Sequence, residues 1–206
     1  MILEQLRGRV LKTALECYKS GLMVSTAGNF SARDPETGHV AITPGSYPYE
    51  VMKPEDIVIV DTNMKIIDCK QGLKPSSDTD IHTNIYRNRP QDVHGIVHVH
   101  SVYANAFGAV GKPIMPILGT AQALVGGEVP VTPFLHFGQD EAQKMMIEKL
   151  KDRRAVVLGG HGMTCIGRSI EMAYMVCQFA EENAKCYYVA LQIGEPKRVP
   201  TDIKRT

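Results

Sequence analysis

The chain has 206 residues, 44% of them hydrophobic and 22% charged, which suffices for a substantial core in one large domain or two small ones. Its 23 basic and 22 acidic residues leave a net charge of +1. That balance argues against a general nucleic-acid binder but leaves room for a local basic pocket for a small anion. Five cysteines (Cys17, Cys69, Cys165, Cys177 and Cys186), odd in number and without a CxxC pair, point to reduced thiols rather than a disulfide framework.

Residues 2–20 place Leu3, Leu6, Val10, Leu11, Ala14 and Leu15 at helical spacing, with Gly21 as a stop. Charges every few residues deny this segment the apolar core of a signal peptide or a membrane span, so a cytoplasmic protein is expected. "NFSAR", "HVAITP", "DIVIVD" and "KIIDC" are short β-branched runs between Gly, Pro and Asp turn signals and read as strands. From Ser76 to about Arg87 the pattern is helical, with Ser76 or Ser77 as N-cap and Ile81, Ile85 and Tyr86 on the buried side. "GIVHVHS" predicts a strand, followed by a helix over Val102 to Ala109. "RAVVLGGHGMTCIG" predicts strand, glycine turn and strand. The closing helix runs over 169–194 with Ile170, Ala173, Tyr174, Cys177, Ala180, Ala184, Tyr187 and Leu191 on one side, ended by Gly194 and Pro196. With no linker, repeat or low-complexity tract, the pattern predicts one α/β domain over 1–206, a mixed central sheet covered by helices.

Three stretches carry candidate chemistry. Side chains at i and i+2 of a strand point to one side, so His98 and His100 project together and can supply two of three protein ligands to a zinc-type site. "HVH" alone is indistinguishable from a packed pair of strand residues. His161, framed by glycines in "GGHGM", is the candidate third ligand. In "KPSSDTDIH", Ser76 and Ser77 offer hydroxyls and backbone N–H groups at a helix start, where an anion is favoured, and Asp78 adds a carboxylate. Ordinary helix capping would account for the same residues. "STAGNFSAR" and "ITPGSYPYE" bring Gly28, Asn29, Thr43 and Gly45, small residues that let donors approach a phosphate. Neither stretch is a P-loop or a dinucleotide fingerprint.

Taken together, "TAGNFS", "ITPGSYPYE", "KPSSD", "IVHVHS" and "GGHGM" resemble, in order and spacing, the class II aldolase/adducin superfamily over residues 3–197. The resemblance implies that His98, His100 and His161 hold a divalent metal, one Zn2+ per subunit or another divalent ion in its place. Gly28, Asn29, Thr43, Gly45, Ser76 and Ser77 would hold a substrate phosphate, and Asp78 would take the place of the acid/base carboxylate. It also implies a homotetramer with active sites between subunits, a sugar-phosphate substrate, and neither nucleic acid nor membrane as partner.

The chemistry implied is reversible cleavage of a ketose 1-phosphate, of the L-fuculose 1-phosphate type, to dihydroxyacetone phosphate and a short aldehyde. A metal-stabilised enediolate and a proton-moving carboxylate carry that reaction. If the aldehyde rotates and re-adds, the same site performs 4-epimerisation of L-ribulose 5-phosphate. "KPSSD" is similar to the epimerases, where aspartate replaces the aldolases' glutamate. The compact "TPFLHFGQDEAQKMMIEKLKDRRAVVLGGHGM" and a chain that stops soon after "GEPKRVP" are similar to the short aldolases. In "MPILGTAQALVGG" the position of the aldolases' tyrosine proton donor holds Thr120 or a neighbour. Tyr47, Tyr49, Tyr103 and the C-terminal tyrosines are the conceivable substitutes. A non-catalytic, adducin-like interaction module is the third expectation.

Overall fold

The computed structural model describes residues 1–134 and 140–200. The part of the compact connection at 135–139 lies outside the described residues. Helix α1 (Glu4–Lys19) is followed by strands β1 (Asn29–Arg33) and β2 (Val40–Ile42). Two short 3-10 turns then lead to β3 (Val58–Val60) and β4 (Ile66–Asp68), and next come α2 (Thr79–Asn88), β5 (Gly95–Val99) and α3 (Val102–Ala109). The chain ends with α4 (Gly119–Val125), α5 (Asp140–Leu150), β6 (Ala155–Leu158), β7 (Gly162–Gly167) and α6 (Ile170–Ile193).

The strands form one seven-stranded sheet in the order β4-β3-β2-β1-β5-β7-β6. Each neighbouring pair is antiparallel, and the parallel contact in the sheet region is an isolated bridge between Val131 and Val157. The architecture is the expected α/β class with helices on both faces, but the sheet is antiparallel rather than mixed, and the connections from β1 to β2 and from β3 to β4 are too short for parallel crossovers.

Strand alternation divides the core into two layers. Phe30, Ala32, Ala41, Ile59, Val97, Val99, Met163 and Cys165 face a layer completed by α1, α3 and α6. Val40, Ile42, Val58, Val60, Ile96, Val156 and Ile166 face a second layer completed by Ile81, Ile85 and Tyr86 of α2 and by Met146 and Leu150 of α5. The second layer is polar at one end. There Asn29 lies opposite His98 and Ser31 opposite Ile96 in the β1–β5 register. The end of the layer that lacks apolar side chains is where the candidate residues gather.

Three local expectations change. The α2 N-cap is Asp78 rather than Ser76 or Ser77, because the two serines fall in the turn before the helix, where Ser76 Oγ accepts the Asp78 N–H at 3.3 Å. Leu191 is exposed rather than packed, since the last turns of α6 run past the layer it covers. Helices α4 and α5, which have no counterpart in the sequence reading, pack against α6 and against α2 and β6 respectively.

Candidate active site

His98 is the penultimate residue of β5, fully buried on the α2 side of the sheet. Its cross-strand partner in β7 is Thr164, whose Oγ lies 3.0 Å from His98 Nδ1. That bond fixes the ring and leaves Nε2 for another partner. His100 follows just beyond the strand, with its Nε2 only 3.2 Å from His98 Nε2. The segment after it is anchored by Glu181 of α6, which accepts from Ser101 Oγ at 2.7 Å and from the Tyr103 and Ala104 N–H groups at 2.8 and 2.9 Å. One carboxylate thus caps α3 and holds the register of the residues beside His100.

His161 reaches the same point from the three-residue hairpin between β6 and β7, where Gly160 takes the left-handed φ of +70°. The ring centroids of His98, His100 and His161 are 4.6 to 5.2 Å apart. One nitrogen from each lies within 4.8 Å of the other two, and among the described residues this is the group able to hold a metal ion. Burial pushes all three imidazoles below their ordinary pKa, most strongly His98, where His161 and His100 add repulsion. Neutral imidazoles with converging lone pairs are the donor set that a zinc-type ion requires.

Asp78, at the start of α2, completes the cluster. Its Oδ2 is 4.0 Å from His98 Nε2 and 3.9 Å from His161 Nε2, and it accepts a 2.7 Å hydrogen bond from Asn29 Nδ2. A cleft of about 330 Å3 opens in front, lined by Gly28, Asn29, Gly45, Ser76, Ser77, Asp78, His100 and His161. Thr43 is brought close but does not line it. It is fully buried, with Oγ accepting the Phe30 N–H at 3.1 Å and its carbonyl accepting the Ser76 N–H at 3.1 Å. Thr43 therefore shapes the serine turn from beneath. Thr120 is exposed in the first turn of α4, away from the cleft, and none of Tyr47, Tyr49 and Tyr103 lines it. Tyr49 is committed elsewhere, donating to the Gly28 carbonyl at 2.7 Å.

Two glycines are required by close approach. Gly28 has φ +119°, and a Cβ there would come within 2.9 Å of the His98 carbonyl. A Cβ on Gly162 would meet His100 Cδ2 at 2.8 Å and His98 Cε1 at 2.9 Å. Gly162→Ala is therefore expected to displace two of the three rings. Metal titration should show an affinity loss of about tenfold or more, and unchanged affinity would show that the rings tolerate the methyl group.

Sequence reasoning missed Ser25, Thr26 and Ser46, which also line the cleft, and His82 behind it. The first three sit in the very loops singled out, and Ser25 and Ser46 adopt positive φ (55° and 54°), a backbone state that sequence does not reveal. His82 had a readable signal, because it lies one helical turn after Asp78 and so on the same face of α2. It is fully buried, its Nε2 2.6 Å from Asn29 Oδ1, and burial pushes its pKa down to about 4. A histidine with a folded value below the unfolded one takes up a proton on unfolding. Its contribution is complete above about pH 6.5 and is lost as the pH falls toward 4, by about 3 kcal/mol in all. Denaturant titrations of the wild type and His82→Gln at pH 7 and pH 5 should show a smaller pH loss in the variant. Equal losses would contradict the assignment.

The amino-acid sequence matches the family described as "Class II Aldolase and Adducin N-terminal domain" over residues 8–188. The chain belongs to the class II aldolase and adducin family. Within it, the chain is 36% identical over 202 residues to the 5-deoxy-D-ribulose 1-phosphate aldolase of Bacillus thuringiensis serovar kurstaki, covering 98% of this chain and 93% of the relative. It is 32% identical over 198 residues to an L-fuculose phosphate aldolase of Escherichia coli O6:H1, covering 96% and 89%. A solved L-fuculose 1-phosphate aldolase superposes with a TM-score of 0.88 at 28% identity, over 95% of this chain and 91% of that one. The protein is thus a class II aldolase by family, and metal dependence is what such a family leads one to expect.

Proposed function

We propose that the chain is a zinc-dependent aldolase that cleaves a ketose 1-phosphate to dihydroxyacetone phosphate and a short aldehyde. The observation that carries the reading is the convergence of His98, His100 and His161 beside Asp78, at the floor of a cleft rimmed by small hydrogen-bonding residues. When bound, a divalent ion there supplies Lewis-acid withdrawal of electron density from a hydroxyl–carbonyl pair of the substrate. Gly28, Asn29, Gly45, Ser76 and Ser77 bind the phosphate, helped by the positive end of the α2 dipole, and Thr43 holds the serine turn in place. Asp78 takes up or returns the proton at the carbon released by C–C cleavage, held for that task by the Asn29 amide.

A similar 5-deoxy-D-ribulose 1-phosphate aldolase and a similar solved L-fuculose 1-phosphate aldolase are named for 1-phosphates of ketoses whose far end is a methyl group, which favours a 6-deoxyhexulose of the L-fuculose type or a 5-deoxypentulose. A homotetramer fits this reading: a neighbouring subunit then supplies the group that takes the proton from the C4 hydroxyl during cleavage and returns it to the aldehyde oxygen in condensation. The C-terminal turns of α6 present Tyr188, Val189 and Ile193 to solvent in the single chain, the apolar surface such an assembly would cover. Among the described residues no helix is long and apolar enough to cross a membrane, and the five free thiols fit a cytoplasmic sugar-phosphate enzyme.

Asp78, an aspartate where aldolases carry glutamate, favours 4-epimerisation of L-ribulose 5-phosphate as the second reading. A panel of ketose 1- and 5-phosphates separates the two. The aldolase reading expects dihydroxyacetone phosphate from a 1-phosphate, while D-xylulose 5-phosphate without cleavage products would establish the epimerase. An adducin-like scaffold would yield neither product and hold no metal.

A further inference from the structure

Behind Asp78 lies a buried chain of hydrogen bonds that ordinary packing does not require. Asp78 Oδ2 accepts from Asn29 Nδ2 at 2.7 Å, and Asn29 Oδ1 lies 2.6 Å from His82 Nε2. His82 Nδ1 lies 2.6 Å from Ser31 Oγ, which lies 2.8 Å from the Tyr86 hydroxyl. Ser31, His82 and Tyr86 have no exposed surface and Asn29 has only 4%. The Tyr86 ring in turn lies 5.4 Å beneath the Arg33 guanidinium, whose own N–H groups donate to the Tyr86 and Pro90 carbonyls.

Donor counting allows one direction along this chain. A carboxylate only accepts, so the Asn29 amide must turn its nitrogen to Asp78 and its oxygen to His82. His82 must then carry its hydrogen on Nε2, leaving Nδ1 as an acceptor. Ser31 must spend its hydroxyl hydrogen on Nδ1, and Tyr86 must donate to Ser31. Reversing any member would set two acceptors or two donors face to face in a buried site, where an unmade bond is costly.

We infer that His82, oriented by Ser31 and Tyr86, is a positioning residue that locks the Asn29 amide so that its N–H holds the Asp78 carboxylate in its working orientation. The inference rests on the reading of Asp78 as the group that moves the proton. His82 touches neither the cleft nor the metal-ligating atoms, so its influence passes through Asn29. Without a donor at the His82 position, Asn29 can flip and present its carbonyl to the carboxylate, which then swings away.

The test uses zinc-loaded protein and follows exchange of solvent deuterium into dihydroxyacetone phosphate, the partial reaction that reports proton movement without the aldehyde. His82→Leu removes the donor at similar size, and His82→Gln keeps an amide N–H able to reach Asn29. The expected result is exchange slowed by about 10–100-fold in His82→Leu, with KM and zinc content within about twofold of wild type and most of the rate regained in His82→Gln. A two-bond 1H–15N spectrum of the wild type should show His82 as the Nε2–H tautomer at neutral pH.

An Nδ1–H tautomer, an undiminished exchange rate in His82→Leu, equal losses in both variants, or zinc loss in His82→Leu would each overturn the inference. Should His82→Leu fail to fold, Tyr86→Phe replaces it, with a smaller but measurable slowing expected and an unchanged rate counting against the chain. Asp78→Asn run in parallel separates the two claims. If it retains exchange, the reading of the site falls. If it loses exchange while His82→Leu does not, only the positioning role falls.

Discussion

His98→Ala is expected to empty the site of metal and abolish turnover together. His98 is the member of the histidine cluster with no exposed surface, its ring fixed by Thr164 and framed by Gly162, so no neighbouring side chain stands ready to replace its imidazole. Loss of partners that merely orient ligating histidines costs about 10–100-fold in affinity, and loss of a ligand should cost more than that. Metal analysis after dialysis, with activity measured on the same samples, checks the expectation. His161→Ala should behave in the same way, because the hairpin that carries it contributes nothing else to the cluster. A variant that keeps full metal stoichiometry would remove that histidine from the set.

The second large effect should come from Asp78→Asn, with the opposite pattern. The amide keeps the size of the carboxylate, and the three imidazoles keep their own donors, so zinc content should stay near one per subunit. Turnover should fall by about 100- to 10,000-fold, the usual contribution of a positioned proton-transfer group. The Asn29 bond should survive, because the new amide can turn its oxygen to Asn29 Nδ2, so the loss reports the missing proton-transfer group. Near-normal turnover in this variant would show that another group moves the proton.

Much of the fold was legible because its signals are local. The helix over 4–19, the strands around "NFSAR" and "GIVHVHS", and the long closing helix follow from periodicity and from Gly and Pro punctuation. Strand alternation put His98 and His100 on one side, but only His161 and the family resemblance raised them above a packed pair; His100 itself lies one step beyond the strand and converges on His98 through the turn that Glu181 holds. Helix α4 was missed because only seven residues support it, and its packing on α6 comes from the long-range bonds of Asn183 to Met115, Ile117 and Leu118. Antiparallel strand order was equally unreadable, being fixed by pairings between segments far apart in sequence.

Within the site, the residues recognised in advance were those with distinctive chemistry in short motifs. The ones overlooked act by geometry. Ser25 and Ser46 line the cleft through left-handed backbone turns, and His82 contributes from a buried helix face with its partners on a different strand. Thr43 shows the converse. A residue with the right chemistry in the right loop is turned inward by one bond to Phe30 and serves the cleft through its backbone.

The proposed reaction is a metal-dependent C–C cleavage at the three histidines. The most direct measurement strips the protein with a chelator, restores stoichiometric zinc, and follows dihydroxyacetone phosphate released from L-fuculose 1-phosphate and 5-deoxy-D-ribulose 1-phosphate. The expected result is no product from the stripped protein and restored release from at least one substrate on adding zinc. Equal release with and without metal, or none from either substrate after reloading, would contradict it.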